Sequence, residues 1–242
     1  MSRILVTGSA DGLGRLAAES LLSAGHDVVV HARNRERAPS LRGLIDRGAD
    51  LVVGDFTDRD AVRRIAAELN DAKPLDAVIH NVGVWSGKAV MPVNIVAPYL
   101  LTALLQGPSR LVYLSSASHY GGKPSLTGVD WRGQRAGSYD DSKLFVTTLA
   151  AAVPRLRPHV LSNAVDPGWV PTRMGGPGAP DDLRLGHLTQ EWLATSDDPD
   201  ARTSGGYWHH QRHLEPHPAV HDRGFQDQLL AGLASFTGTP LT

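Results

Sequence analysis

The sequence predicts an α/β fold, a doubly wound parallel sheet layered α/β/α, on three observations. Short β-rich runs alternate with longer helical patterns along the chain. The runs are nearly continuous in apolar residues, as strands covered on both faces require. A glycine-rich turn joins the first run to the first helical pattern, where such sheets place their ligand sites.

The first run is Arg3 to Thr7. Leu13, Leu16, Ala17, Leu21 and Ala24 then recur at helical spacing, Gly25 supplies a stop, and DVVVHA (27–32) completes a β-α-β unit. Further strands are expected at LVVGD (51–55), DAVIHN (76–81), RLVYLSS (110–116) and HVLSNAV (159–165). Helices fit from Asp58 to Asn70, from Asn94 to Gln106 and from Gly137 to Ala152, and the crossovers they make imply a parallel sheet. GGPGAPDD, Gly175 to Asp182, breaks regular structure and is expected to be a mobile loop.

The 242 residues suit a single domain spanning 1–242, and 41% hydrophobic with 20% charged residues is the composition of a soluble globular protein. Lys and Arg number 24 against 25 Asp and Glu, so net charge gives no case for nucleic acid or an anionic membrane, and a small-molecule partner is expected. The absence of cysteine excludes disulfides, zinc thiolates and a cysteine nucleophile. MSRILVTG is too short in apolar residues for a signal peptide or a span, so a cytoplasmic location is expected.

In LVTGSADGLGRLA, Leu5 to Ala17, the residues Gly8, Gly12 and Gly14 lie where a strand ends and a helix begins. Backbone N–H groups and the positive end of the helix dipole converge there, which makes an anion site. Downstream, Tyr139 and Lys143 in YDDSK are four apart in a helical segment and project from one face. A cation beside a phenol is expected to lower its pKa and make it a usable acid and base. Ser115 and Ser116 end the LVYLSS strand at the carboxyl edge of the sheet. Tyr-x-x-x-Lys, or a serine pair after a strand, occurs often enough to mean little alone.

Their joint order carries more. The Thr7-Gly8 turn with its TGxxxGxG spacing, HNVG at His80 to Gly83, VNIVAPYLLTALL, LSS, YDDSK and DPGWVPT together resemble the short-chain dehydrogenase/reductase family over nearly the entire chain. The resemblance is nearest to its retinol dehydrogenase and protochlorophyllide reductase-like members. It implies a Rossmann-type sheet and an alcohol–carbonyl interconversion with a nicotinamide cofactor. Tyr139 would exchange the proton, Ser116 would orient the substrate oxygen with Ser115 supporting the loop, Lys143 would bind the ribose and depress the Tyr139 pKa, and Asn94 would hold a relay water. Cofactor contacts would come from Gly8, Ser9, Asp11, Gly12, Leu13 and Gly14, and from Asp55 and Phe56 after the third strand. Asn81 would brace the sheet, Gly83 would admit the cofactor, and Pro167, Gly168, Val170 and Thr172 would lie by the nicotinamide.

Ala32 occupies the place where NAD enzymes commonly carry an acid, and Arg33 follows it, which favours NADP over NAD. Asp11 in the glycine turn opposes extra phosphate charge, and Arg33, Arg35 and Arg37 could also be a solvated face. Only 13 positions (94 minus 81) separate Asn81 from Asn94, fewer than the family usually has. That departure could move Asn94, reshape the substrate pocket, or alter the helix pair used for dimerisation. A homo-oligomer is implied by the resemblance, and the loop from Trp169 to Leu193 is where a substrate would be selected.

A catalytically silent dinucleotide-binding regulator is opposed by the joint presence of Ser116, Tyr139 and Lys143. A sugar-nucleotide epimerase would need more than the roughly 70 residues that follow DPGWV. His209, His213, His217 and His221 recur every four residues with His210 beside the first, but Pro216 and Pro218 bar the continuous helix a metal site would need, so an exposed loop after GGYWHH is expected. Trp169, Trp192 and Trp208 read as core or as walls of an apolar pocket.

Overall fold

A computed structural model describes residues 1–242. Seven strands run parallel: β1 (Arg3–Val6), β2 (Asp27–Ala32), β3 (Asp50–Val53), β4 (Ala77–His80), β5 (Arg110–Leu114), β6 (Leu161–Asp166) and β7 (Tyr207–His209). An eighth, β8 (Arg212–Leu214), pairs antiparallel with β7. All belong to one sheet in the order β3-β2-β1-β4-β5-β6-β7-β8. The order reverses between β1 and β4, so the connections diverge to opposite faces and a crevice opens beyond the carboxyl ends of those strands.

Because side chains alternate along a strand, each β run feeds two cores. Ile4, Val6, Val28 and Val30 meet α1 (Gly12–Ser23), α2 (Arg42–Ile45) and α6 (Leu185–Thr195) through Ala17, Leu21, Leu44 and Leu193. Leu5, Val29 and Val78 face the other way, against α3 (Arg59–Asp71), α4 (Ala97–Leu104), α5 (Tyr139–Leu156) and α7 (Arg223–Thr237), which bury Val62, Leu100, Phe145 and Leu229. The doubly wound α/β architecture is thus the one the sequence predicts.

Local signals explain most boundaries. Asp58 stands just outside α3 and caps it, accepting the Asp60 N–H at 2.9 Å. The span expected to be one helix from Asn94 divides: Pro92–Val96 form a π turn before α4 begins. Such turns widen a helix locally and re-aim a side chain, here that of Asn94. The histidine-rich stretch is not a plain loop. His210 and Gln211 adopt left-handed φ angles of 48° and 60° and so join β7 to β8 as a two-residue hairpin. His213 of β8 packs edge-on against Trp208 of β7, and His217 caps the turn at Pro218–His221.

α7 lies over α5, with the Phe225 and Phe145 rings 5.9 Å apart. The last residues then cross α4 and α5: Tyr99 Oη donates to the Thr239 carbonyl at 2.8 Å and Arg157 Nε to the Thr242 carbonyl at 2.7 Å. Every residue from Ser142 to Ala150 is buried in consequence.

Candidate active site

The crevice is built from the end of β1. Gly8 (φ 71°) and Gly12 (φ 56°) hold left-handed conformations that let the chain turn from strand into α1 within a few residues. At Gly14 the reason is contact: a Cβ there would lie 2.3 Å from Asn81 Nδ2 and 2.6 Å from the Gly8 carbonyl. Asn81 fastens this turn to β4. Its backbone N–H donates to Thr7 Oγ1 and its side-chain amide to the Thr7 carbonyl, both at 2.9 Å.

The residue before α1, Asp11, makes no side-chain cap hydrogen bond. Its carboxylate instead pairs with Arg37 at 2.6 Å and Arg173 at 3.1 Å. The first-turn N–H groups of α1 therefore face the crevice without a protein acceptor, as a site for an anion should. The charge of Asp11, which the sequence sets against a phosphate, is offset by two guanidiniums. Ser9 plays an internal part: fully buried, its hydroxyl donates to the Val6 carbonyl and accepts the His31 N–H.

His31 was not visible as a site residue from sequence. Its Nε2–H donates to the Gly54 carbonyl at 2.8 Å, so Nδ1 accepts the Gly8 N–H at 3.1 Å, which ties the glycine turn to the ends of β2 and β3. Phe56 turns its ring inward and stacks on His31 at 4.2 Å, away from the crevice. Beside them Arg33 Nε reaches Asp55 at 2.8 Å while Asp55 also accepts from Thr57. Burial alone would push the Asp55 carboxyl up; the Thr57 and Arg33 contacts outweigh it and hold the group below its usual range.

At the other end of the crevice stand the predicted reactive groups. Ser138 caps α5, accepting the Asp141 N–H, and so sets Tyr139 at the first turn with Lys143 one turn further on. Lys143 is buried, and its Nζ donates to the Leu114 carbonyl at 2.7 Å. Burial lowers its pKa to about 8, against the opposing field of Asp166. Tyr139 departs from expectation. Burial pushes its phenol up to about 12, contact with the Ser116 hydroxyl works against that rise, and Asp166 and Asp140 add to it. The Lys143 Nζ lies 5.4 Å from the ring centroid, with its hydrogen bond given to backbone.

Ser116 opens the turn Ala117–Gly121 and faces Tyr139, whereas Ser115 lines the crevice and is largely buried, its hydroxyl 2.6 Å from Thr147 Oγ1. After the short link from Asn81, Asn94 lies buried in the π turn before α4. The π turn aims its amide at the Val84 N–H and carbonyl, 2.8 and 3.0 Å, and at Ser142 Oγ, 3.0 Å. A Cβ added at Gly83 would lie 3.7 Å from both Asn94 Oδ1 and Lys143 Nζ, so these groups share one small space.

Pro167 and Thr172 line the crevice, about 210 Å³, together with Gly12, Leu13, Tyr139 and Lys143. Gly168 (φ 81°) donates its N–H to Asp166 Oδ1 at 3.0 Å. Val170 is buried against Gly186 in α6 and serves the loop's own packing. The loop through 175–182 lacks regular structure, as expected, but is tied at its base: Asp181 accepts the Trp169 N–H at 2.6 Å and returns its own N–H to the Trp169 carbonyl. Trp192 and Trp208 pack edge-on inside, leaving Trp169 exposed. Sequence reading missed Arg173 and Met174 on the crevice wall, and Trp85, exposed with its ring 5.3 Å from that of Tyr139. Only the adjacency of Arg173 and Met174 to Thr172 hinted at them.

Residues 2–106 match the family model for short chain dehydrogenases. An uncharacterized oxidoreductase of Emericella nidulans is 36% identical over 95% of this chain and 94% of its own length. A crystal structure of a putative uncharacterized protein from Mycobacterium paratuberculosis has a TM-score of 0.83 at 21% identity, covering 100% of this chain and 95% of that one. A Pseudomonas aeruginosa RhlG/NADP complex has a TM-score of 0.69 at 22% identity, covering 86% and 94%. The chain belongs to the short-chain dehydrogenase/reductase family. It is an NAD(P)-dependent oxidoreductase of that family.

His31 gives this site a pH signature. Its folded pKa is about 4 against an ordinary 6.5, because burial penalises the imidazolium. Between those values the unfolded chain binds a proton that the folded chain does not, so the contribution is complete above pH 6.5 and is lost as pH falls toward 4. From pH 7 to pH 5 the loss should be on the order of 2 kcal/mol. Urea unfolding of His31→Gln at both pH values should show a correspondingly smaller drop than the parent; an equal drop would remove His31 from the account.

Proposed function

We propose that the enzyme interconverts an alcohol and a carbonyl by hydride transfer, prefers NADPH, and uses Asn94, Ser116, Tyr139 and Lys143. The observation that carries this reading is that Tyr139 and Lys143 line a crevice that also receives the uncapped N-terminus of α1, with Ser116 in contact with Tyr139 and Asn94 bonded to Ser142 of the same helix. The N–H groups at Gly12, Leu13 and Gly14 would hold the phosphates, and Lys143 and Thr172 would hold the nicotinamide end. When bound, the cofactor supplies or accepts the hydride.

Tyr139 passes its hydroxyl proton to the carbonyl oxygen, or takes it back from the alcohol, and Ser116 donates a hydrogen bond to the same oxygen. A phenol held at about 12 stays protonated across the physiological range, which suits delivery of a proton to a carbonyl. Asn94 fixes the 83–84 segment beside Lys143 and leaves its own surroundings polar enough for a relay water. Trp85, Met174 and Trp169 give the entrance, bounded by the loop 169–193, an apolar rim for the substrate.

The cofactor preference rests on Arg33. Arg33 is bound to Asp55 through Nε alone, so its two terminal nitrogens remain available to a 2′-phosphate. We also propose a cytoplasmic, homo-oligomeric enzyme. Its subunit contact would lie away from the outer face of α5, which α7 covers.

Tyr139→Phe should lower NADPH oxidation with aldehyde, ketone and quinone substrates by roughly 10²-fold or more while NADPH affinity changes little. Equal rates would exclude Tyr139 from the reaction. Arg33→Ala should weaken NADPH about tenfold, the loss of one charge-assisted contact, and leave NADH nearly unchanged in fluorescence titrations. An unaltered ratio of the two affinities would overturn the cofactor preference.

A further inference from the structure

Ser116 can orient a substrate oxygen only if the turn it opens, Ala117–Gly121, is held still. The far end of that turn rests on the helix of Tyr139. A Cβ at Gly122 would lie 2.7 Å from the Asp140 carbonyl and 2.6 Å from the Leu144 Cβ, and Asp141 accepts the Lys123 N–H at 2.8 Å. The near end, at Ser116 itself, is fixed by a side chain that the reaction described above does not use. His119 is completely buried, its ring packed against those of Tyr120 at 4.0 Å and Tyr207 at 4.4 Å.

Two hydrogen bonds dictate which nitrogen of that ring carries the proton. The Ser116 carbonyl can only accept, so Nδ1, 2.8 Å away, must bear a hydrogen; the His217 backbone N–H can only donate, so Nε2, 3.0 Å away, must be bare. Burial lowers the pKa of the imidazole and keeps this neutral form. The Ser116 carbonyl also accepts the His119 backbone N–H at 3.0 Å, so one residue grips it twice. With that carbonyl fixed, the backbone of Ser116 is fixed, and its Oγ accepts the Ser118 N–H at 3.2 Å. This bond occupies an acceptor site of the hydroxyl and leaves its proton to be given away. His119 is braced in turn by the segment after β8. The His217 ring accepts the Ala219 N–H at 3.1 Å, and Tyr120 Oη donates to the Glu215 carbonyl at 2.6 Å.

We propose that His119 is a positioning residue: its Nδ1–H, donated to the Ser116 carbonyl, holds the Ser116 hydroxyl in the attitude from which it donates to the substrate oxygen. It rests on the reading of Ser116 as the group that orients that oxygen. A ring with no exposed surface meets no substrate, so its effect passes through the backbone of the serine. Such placement matters, because misplacing a catalytic group by about 1 Å costs on the order of 10²-fold in rate.

Two replacements separate the hydrogen bond from the packing. In His119→Asn the amide nitrogen stands near the Nδ1 position and can still donate to the Ser116 carbonyl, but nothing reaches the His217 N–H. In His119→Gln the amide reaches the Nε2 position and the reverse holds. Both discard the aromatic contacts with Tyr120 and Tyr207, so lost packing is common to the pair. Rates of NADPH oxidation are read with the best of the aldehyde, ketone and quinone substrates. His119→Gln should lower kcat about tenfold with the KM for NADPH unchanged, and His119→Asn should recover most of that loss. In a Ser116→Ala background, His119→Gln should cost nothing further, because the histidine acts through the serine. Equal losses in the two variants, a parental kcat in His119→Gln, or losses that multiply in the double variant overturn the inference. NADPH affinity and thermal melting establish that the variants are folded. If His119→Gln does not fold, His119→Asn decides: a kcat within about threefold of the parent supports the role, and a loss of about tenfold ends it. Ser116→Ala assayed alone keeps the two ideas apart. Parental activity there defeats the reading of Ser116 and the role of His119 together, whereas a slow Ser116→Ala beside an unimpaired His119→Gln defeats only the latter.

Discussion

The crevice exists because β1 and β4 are fastened together where the strand order reverses. Thr7 Oγ1 accepts the N–H groups of both Asn81 and Val82, and the Asn81 amide returns the bond to the Thr7 carbonyl. The divergence of connections at this point would otherwise let the two strand ends splay. Gly14 then lets α1 come down onto that fastening so closely that any side chain would collide with Asn81. Placement of the helix terminus, and with it the whole phosphate end of the site, follows from this one knot of hydrogen bonds.

At the reactive end the same burial acts in opposite senses on two neighbours. Removing water disfavours whichever form is charged, so the lysine is drawn toward neutrality and the tyrosine toward its protonated state. The argument that an adjacent ammonium activates the phenol needs the two groups to face each other across polar space. Here Lys143 spends its strongest contact on the Leu114 carbonyl. Ser116 is the side chain that acts against the rise at Tyr139, and Asp166 is the one that adds to it.

Much of this was legible in the residues. Strands buried on both faces write themselves as apolar runs, and the Tyr139–Lys143 spacing survives because α5 is a regular helix with its own serine cap. The preference for Ser116 over Ser115 came only from the resemblance, since both serines lie past the end of β5 and strand alternation does not sort them. What stayed hidden depends on contacts between distant segments. His31 looks like any polar residue in a strand until its ring is found between Gly8 and Gly54, 23 residues away on either side. The direction of the Tyr139 shift could not be read from a motif, because desolvation and Asp166 act through space. The hairpin at His210–Gln211 was masked because it turns without the glycine or asparagine that usually marks such a turn.

The Asp11 carboxylate, held from two sides, joins parts of the molecule that sequence keeps far apart. Arg37 comes from the segment after β2 and Arg173 from the loop over the reactive end. An anion that arrives at the helix terminus competes for both guanidiniums at once. Occupancy at one end of the crevice and the resting place of the loop at the other would then be linked, and by reciprocity a shift of the loop would change the hold on the anion by the same factor. A screening electrolyte would loosen both together.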